Sequence, residues 1–210
     1  MSTHPVAPNT VVTFPDVTDS RSSTGLGEKL LIAPLRRGLL AKARADILDV
    51  ACGDGANFAY FPADSRIVAG DASPFQLSTA RSRAIAVGRN VEIRQFDVEN
   101  IPFPDASFDT VVSSLALCSY NDPIRALREL ARVAKPDGVI LLLEHGRSSF
   151  GPLAAWQDWR ERRRGPHTGC HGNREPRLLI EAAGLEIVAA RRSLLGIMHA
   201  IEARPARTAA

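Results

Sequence analysis

The chain has 210 residues, 45% of them hydrophobic and 23% charged, with a formal net charge of +3. That is enough apolar surface to offset the entropy of ordering one domain, and too little length for two ordinary ones, so disorder and a multidomain architecture are excluded. No apolar run approaches the roughly 18 residues of a membrane span, and Met1 to Asn9 lacks the basic start and apolar stretch of a secretory signal, so a cytoplasmic protein is expected. Cys52, Cys118 and Cys170 are odd in number and far apart, with no CxxC, which argues against a disulfide framework or a structural zinc site.

Residues 1–25 are rich in Pro, Thr, Ser and Asp without a period, which predicts a flexible arm. The apolar spacing over residues 26–44 predicts one or two short amphipathic helices broken near Pro34. From residue 47 strand-length apolar runs alternate with helical stretches. The runs are Ile47–Ala51, Arg66–Gly70, Val91–Gln95, Thr110–Ser114 and Val139–Leu143, and the helices are expected near 56–61, 74–87 and 122–134. Asp122 is placed to cap the last of these with Pro123 in its first turn, and Pro136-Asp137-Gly138 is placed to stop it and turn the chain into the fifth strand. Two more strand-like stretches follow, Leu185–Ala190 and Met198–Ala203. Strands apolar on both faces and separated by helices are the pattern of a doubly wound α/β sheet.

In such sheets a ligand lies beyond the carboxyl ends of the strands. The first strand ends in Asp49-Val50-Ala51-Cys52-Gly53-Asp54-Gly55-Ala56-Asn57-Phe58, with two glycines where the backbone must bend and a ligand can lie against it. A dinucleotide fingerprint needs a small residue where Phe58 stands, and the acids Asp49 and Asp54 disfavour an anionic ligand. There is no GxxxxGK[ST] loop for a nucleoside triphosphate. Asp71 closes the second strand, where a carboxylate can accept both hydroxyls of a ribose; Asp97 closes the third, where one can accept an adenine amine while Val98 donates from its backbone. Helix capping is the bland alternative for each acid taken alone.

These residues resemble the class I S-adenosylmethionine-dependent methyltransferases. The likeness rests on the DVACGDG turn, Asp71, Asp97, the segment Pro102-Phe103-Pro104-Asp105-Ala106-Ser107-Phe108-Asp109-Thr110-Val111-Val112 and the turn Lys135-Pro136-Asp137-Gly138, where Asp137 replaces a commoner glycine. It implies a Rossmann-like sheet of seven strands, mostly parallel with an antiparallel C-terminal strand, over residues 46–210, with residues 1–45 as an N-terminal arm and cap helices. It also implies S-adenosylmethionine as cofactor, S-adenosylhomocysteine as product, and Asp49, Ala51, Gly53, Gly55, Asp71, Ala72, Asp97, Val98, Ser114 and Leu115 as cofactor-binding residues. Leu115-Ala116-Leu117-Cys118-Ser119, Leu143-Glu144-His145, Trp156, Pro166, Gly169-Cys170 and Arg174 resemble the small alkyl-thiol S-methyltransferases, relatives of the quinone and lipid methyltransferases.

The expected chemistry is in-line displacement of a sulfonium methyl by a small-molecule acceptor, a thiol as first choice. A carbon or oxygen acceptor on a quinone, lipid or natural product is the alternative, and a cofactor-binding protein without turnover is the contrast from another class. His145 and His171 are the candidate bases. The run His167-Thr168-Gly169-Cys170-His171 has a metal-like spacing, but no fourth ligand is apparent and methyl transfer to sulfur needs none, so no metal is expected. Cys118 reads as a buried small hydrophobe or a methyl-accepting thiol. Trp156 and Trp159, three apart on a helix, are expected to pack on the core or line an acceptor pocket. The basic run Arg160-Glu161-Arg162-Arg163-Arg164 reads as a solvated face or a weak membrane-surface contact; nucleic acid is not expected, and the assembly is a monomer or homodimer.

Overall fold

The computed structural model describes residues 25–206, with the side chains of residues 164–168 outside that description. The expected N-terminal arm therefore lies outside the described residues except for Gly25. The strands are β1 (Asp46–Val50), β2 (Arg66–Asp71), β3 (Val91–Gln95), β4 (Phe108–Ser114), β5 (Ala134–His145), β6 (Leu185–Ser193) and β7 (Met198–Pro205). They form one sheet in the order β3-β2-β1-β4-β5-β7-β6. β1 to β5 pair in parallel, and β7 runs antiparallel to both β5 and β6, as the family resemblance implied.

Alternation along the central strands sends side chains to two cores. Leu48, Val50, Val111, Ile140 and Leu142 face one side, where they meet Ala126, Leu127 and Leu130 of α3 (Pro123–Val133) and Ile180 of α5 (Pro176–Ala182). Ile47, Ala69, Val112, Leu141 and Leu143 face the other, against Leu39 and Leu40 of α1 (Ala33–Leu40) and Leu77, Ala80 and Ala84 of α2 (Pro74–Ala86). Each fully buried leucine contributes roughly 1.5–3 kcal/mol relative to exposure, so the sheet centre is the rigid platform on which the strand ends are presented. α3 begins as predicted: Asp122 Oδ1 accepts from Ile124 N at 3.1 Å and Arg125 N at 3.0 Å, with Pro123 in the first turn.

Three local expectations are corrected. The segment before β1 is not broken at Pro34. It runs as a π-helical turn over Glu28–Ile32 and then as α1, and this looser turn passes the proline, whose ring would otherwise collide with the carbonyl four residues back. The expected helix at 56–61 is only a 3-10 turn, Phe58–Tyr60, because Phe58 turns inward and is fully buried. Finally, Pro136-Asp137-Gly138 does not separate helix from strand. α3 ends at Val133 and β5 starts at Ala134, and the ladder slips between Phe108 and Thr110 as the chain crosses this proline-glycine bulge.

Candidate active site

The carboxyl ends of β1 and β2 form a tightly cross-linked polar turn. Ala51, Gly53 and Gly55 all have positive φ (46°, 54° and 79°), so the chain after β1 is a left-handed bend that glycine suits. A Cβ on Gly53 would meet nothing within 4 Å, whereas one on Gly55 would stand 2.5 Å from the Phe58 ring. Gly53 thus presents an open backbone face, and Gly55 presents the side that Phe58 fills from below. Asp71 fixes the bend from β2: its Oδ2 accepts from Gly53 N and its Oδ1 from Ser73 N, both at 2.9 Å. Burial raises the Asp71 carboxyl above the usual range, against the lowering effect of these backbone donors. Asp54 pairs with Arg83 of α2 at 2.8 Å. Next along the edge, Asp97 Oδ1 accepts from Glu99 N at 2.9 Å, Val98 is buried beside it, and Ala72 O accepts from Gln95 Nε2 at 3.0 Å.

Asp49 is fully buried beneath this bend. Its Oδ1 accepts from Asn57 Nδ2 at 2.7 Å, the Asn57 amide oxygen accepts from Arg36, and Arg36 pairs with Glu28 at 3.0 Å. The N-terminal helix is therefore wired to the end of β1 through four polar side chains. Asp49 Oδ2 has no partner. Burial pushes this carboxyl up to about 7, with Asn57 and Arg36 pulling the other way. Sequence reasoning missed Arg36, Asn57 and Glu28. The available signal was Arg36 on the apolar side of an amphipathic helix.

The ends of β4 and β5 carry the other half. Glu144 is fully buried; its Oε1 accepts from Ser113 Oγ at 2.8 Å, and its Oε2 from Ala116 N and Leu117 N at 3.0 and 3.1 Å. Burial also holds this acid near about 7. It fixes the turn after β4, where Leu115 has φ 57° and donates its N–H to Leu143 O at 2.7 Å. Ser114 Oγ in that turn is buried without a partner.

His145 and Cys118 meet Cys170 here. Cys118 Sγ and Cys170 Sγ are 3.3 Å apart, and His145 Nε2 is 3.8 Å from Cys170 Sγ. Contact with Cys118 and then His145 draws the Cys170 thiol down, while that contact and burial push the Cys118 thiol up. The Cys170 contact in turn raises His145. His171 is directed elsewhere: its Nδ1 meets Glu161 at 2.6 Å on α4 (Gly151–Thr168). The metal-like spacing at 167–171 is not what converges, and His167 has no described side chain. Trp156 and Trp159 do not pack on the core. They are exposed on α4, with Arg160 and Arg163 guanidinium groups over their rings at 5.7 and 4.7 Å.

The methyltransferase-domain family matches residues 48–142. Among curated proteins, rat thiol S-methyltransferase TMT1B is 34% identical over 147 residues, covering 65% of this chain and 58% of its own. The UbiE ubiquinone/menaquinone biosynthesis C-methyltransferase of Enterobacter sp. (strain 638) is 37% identical over 118 residues, covering 53% and 47%. Residues 48–142 are a methyltransferase domain of the class I S-adenosylmethionine-dependent type. The mitochondrial methyltransferase OMS1 of Saccharomyces cerevisiae is 28% identical over 194 residues, covering 83% of the chain and 41% of OMS1. The chain thus spans about half the length of the curated relatives it matches. Among solved structures, protein BH2331 of Bacillus halodurans C-125 superposes with a TM-score of 0.63 at 25% identity, over 76% of this chain and 71% of that one. Among the described residues no helix is long and apolar enough to cross a membrane.

Proposed function

We propose that the protein transfers the methyl group of S-adenosylmethionine to a small thiol. The observation that carries the cofactor assignment is the orphaned buried oxygen of Asp49 beneath the open face of Gly53. A buried, unpaired carboxylate oxygen beside bare backbone suits a cationic ligand with a flat, hydroxylated body, and it disfavours a phosphate. When bound, S-adenosylmethionine supplies an electrophilic methyl group on a trivalent sulfur. Asp71, whose two oxygens retain lone pairs after accepting from Gly53 and Ser73, takes the ribose hydroxyls. Asp97 and the Val98 backbone take the adenine edge, and Ser114 and Leu115 close the far side. Ala51 and Ala72 add backbone contacts.

A thiol acceptor is supported by the TMT1B relative and by the character of the β4–β5 end, where His145 stands beside sulfur donors at the same edge of the sheet. An alkyl thiol with a pKa near ~8.5 is only a few per cent ionised at neutral pH, so a neighbouring group that holds its proton raises the fraction of nucleophile. His145 is the better placed of the two candidate histidines, because His171 is already engaged by Glu161. The rest of the task is alignment and exclusion of water, which the rigid strand ends provide. The UbiE relative supports carbon methylation as the second reading. Incubation with labelled S-adenosylmethionine and a panel of hydrosulfide, alkyl thiols, phenols and quinols separates the two. Label on thiols alone is expected; label only on carbon or oxygen acceptors overturns the thiol assignment.

A further inference from the structure

Three soft donors converge at the β4–β5 end from three separate elements: Cys118 from the turn after β4, His145 from the end of β5, and Cys170 from the loop after α4. Their two Sγ atoms and one ring nitrogen all lie within 4.8 Å of one another. A tetrahedral zinc-class ion, with bonds of about 2.3 Å to sulfur and about 2.0–2.1 Å to nitrogen, sets its sulfurs about 3.8 Å apart and sulfur from nitrogen about 3.5 Å apart. The observed separations of 3.3 Å between sulfurs and 3.8 Å between Cys170 Sγ and His145 Nε2 straddle those edges. The third edge, from Cys118 Sγ to the imidazole, lies within 4.8 Å, so seating an ion requires the two sulfurs to part by about half an ångström and the imidazole to swing toward Cys118.

The arrangement is also held in place independently of any ion. His171 N donates to Cys118 O at 2.9 Å, and Arg174 Nη1 donates to Leu117 O at 2.5 Å and Tyr120 O at 2.9 Å. Gln157 Nε2 donates to Gly146 O at 3.1 Å and Gly172 O at 3.2 Å, tying α4 to the same loop. Residues 169–174 are thereby fastened over the 115–120 turn, which brings Cys170 to Cys118 across 52 positions of sequence. Preorganised ligands lose less entropy on binding a metal than a mobile set would.

We infer that Cys118, Cys170 and His145 form a site for one zinc-class ion, bound through two thiolates and an imidazole. Three protein ligands leave a fourth position open, as in catalytic rather than structural zinc sites. That position takes water or a soft anion, and an acceptor thiolate is such an anion. This last step rests on the thiol reading; the metal site itself does not. In the ion-loaded form the ion, and no longer His145, keeps the acceptor thiol ionised.

The test is titration of the reduced full chain with Co²⁺ and, separately, Zn²⁺. Expected are one equivalent bound per chain and a thiolate-to-cobalt charge-transfer band together with intense tetrahedral d–d bands. Cys170→Ser, a substitution at an exposed residue, abolishes the charge-transfer intensity or halves it, and Cys118→Ala does the same, whereas Cys52→Ala leaves it intact. Circular dichroism of each variant confirms folding. Absence of binding by the reduced wild type, equal bands in Cys170→Ser and wild type, or a Cys118–Cys170 disulfide that excludes metal and re-forms in preference to binding would each overturn the site. A spectral shift of the bound cobalt on adding an alkyl thiol supports acceptor ligation; cobalt binding with no such shift, alongside normal thiol methylation, removes that step and leaves the metal site standing.

Discussion

The two halves of the candidate site are built differently. The β1–β2 end is a bend of small residues closed by carboxylates, whose partners are nearly all backbone amides or one buried amide side chain. The β4–β5 end is a convergence of sulfur and imidazole drawn from residues 27 and 25 positions apart in sequence, held by a loop that folds back from a helix. The first is a ligand cradle whose geometry is set locally by glycine and by strand register. The second exists only once tertiary structure is complete. On the proposed function, the first half holds the cofactor and the second selects the acceptor.

The largest expected effect comes from breaking the cradle. Gly55→Ala places a methyl 2.5 Å from the Phe58 ring at a residue with φ +79°. Overpacking and left-handed strain together should cost more than about 2 kcal/mol. Thermal denaturation should show a clearly lowered midpoint, while Gly53→Ala, which carries left-handed strain at φ +54° but has open space at the same atom, should lower the midpoint less and also lose cofactor affinity. Equal midpoints for the two variants would contradict this division of labour between the glycines.

Asp71→Ala comes next. It removes the acceptor of two backbone N–H groups and the proposed ribose ligand, and cofactor affinity by calorimetry should fall by about 1.5–3 kcal/mol. His145→Ala probes the other half. Turnover on a thiol should drop by about tenfold at neutral pH, since a thiol is already partly ionised without help, and cofactor affinity should stay level. A loss of cofactor binding equal to the loss of turnover would mean that the two halves are not separable.

The smallest effect is a pH dependence. The buried Asp49 carboxyl stands at about 7, and an unfolded chain returns it to the ordinary range near 3.8. Since the native state retains that proton longer, stability of the unliganded protein should decline as pH rises from about 4 to 7 and then level off. A cationic cofactor favours the ionised form, so its affinity should weaken as pH falls below 7 and stay flat above. Asp49→Asn should abolish the affinity slope and reduce the stability slope, to which the buried Glu144 contributes in the same pH window; binding curves superimposable with wild type at every pH would remove Asp49 from the cofactor's surroundings.

Much of the cradle was legible in the sequence because its determinants are local. Two glycines at a strand end, and acids closing successive strands, state their geometry within a few residues. The seven strand segments were visible as apolar runs of strand length, the mostly parallel sheet they build came with the family resemblance, and the Asp122 cap was visible in its own side chain. What escaped was set by distance or by packing. Phe58 turned inward and shortened an expected helix, a π-helical turn carried the chain past Pro34, and Arg36 reached Asn57 across 21 positions. Cys118 and Cys170 looked unrelated because nothing local shows that Arg174 and His171 fasten one loop over the other. Trp156 and Trp159 had helical spacing but stacked under arginines of their own helix rather than in the core. Kinship with a mitochondrial yeast protein also means that the cytoplasmic expectation does not follow from the family.

A crystal structure of the full chain soaked with S-adenosylhomocysteine tests the cofactor assignment most directly. The nucleoside should lie over Gly53, with its ribose hydroxyls on Asp71 and its adenine edge at Asp97 and Val98. Density for it at any other place on the sheet, or saturating binding in solution that Asp71→Ala leaves unchanged, would contradict the account.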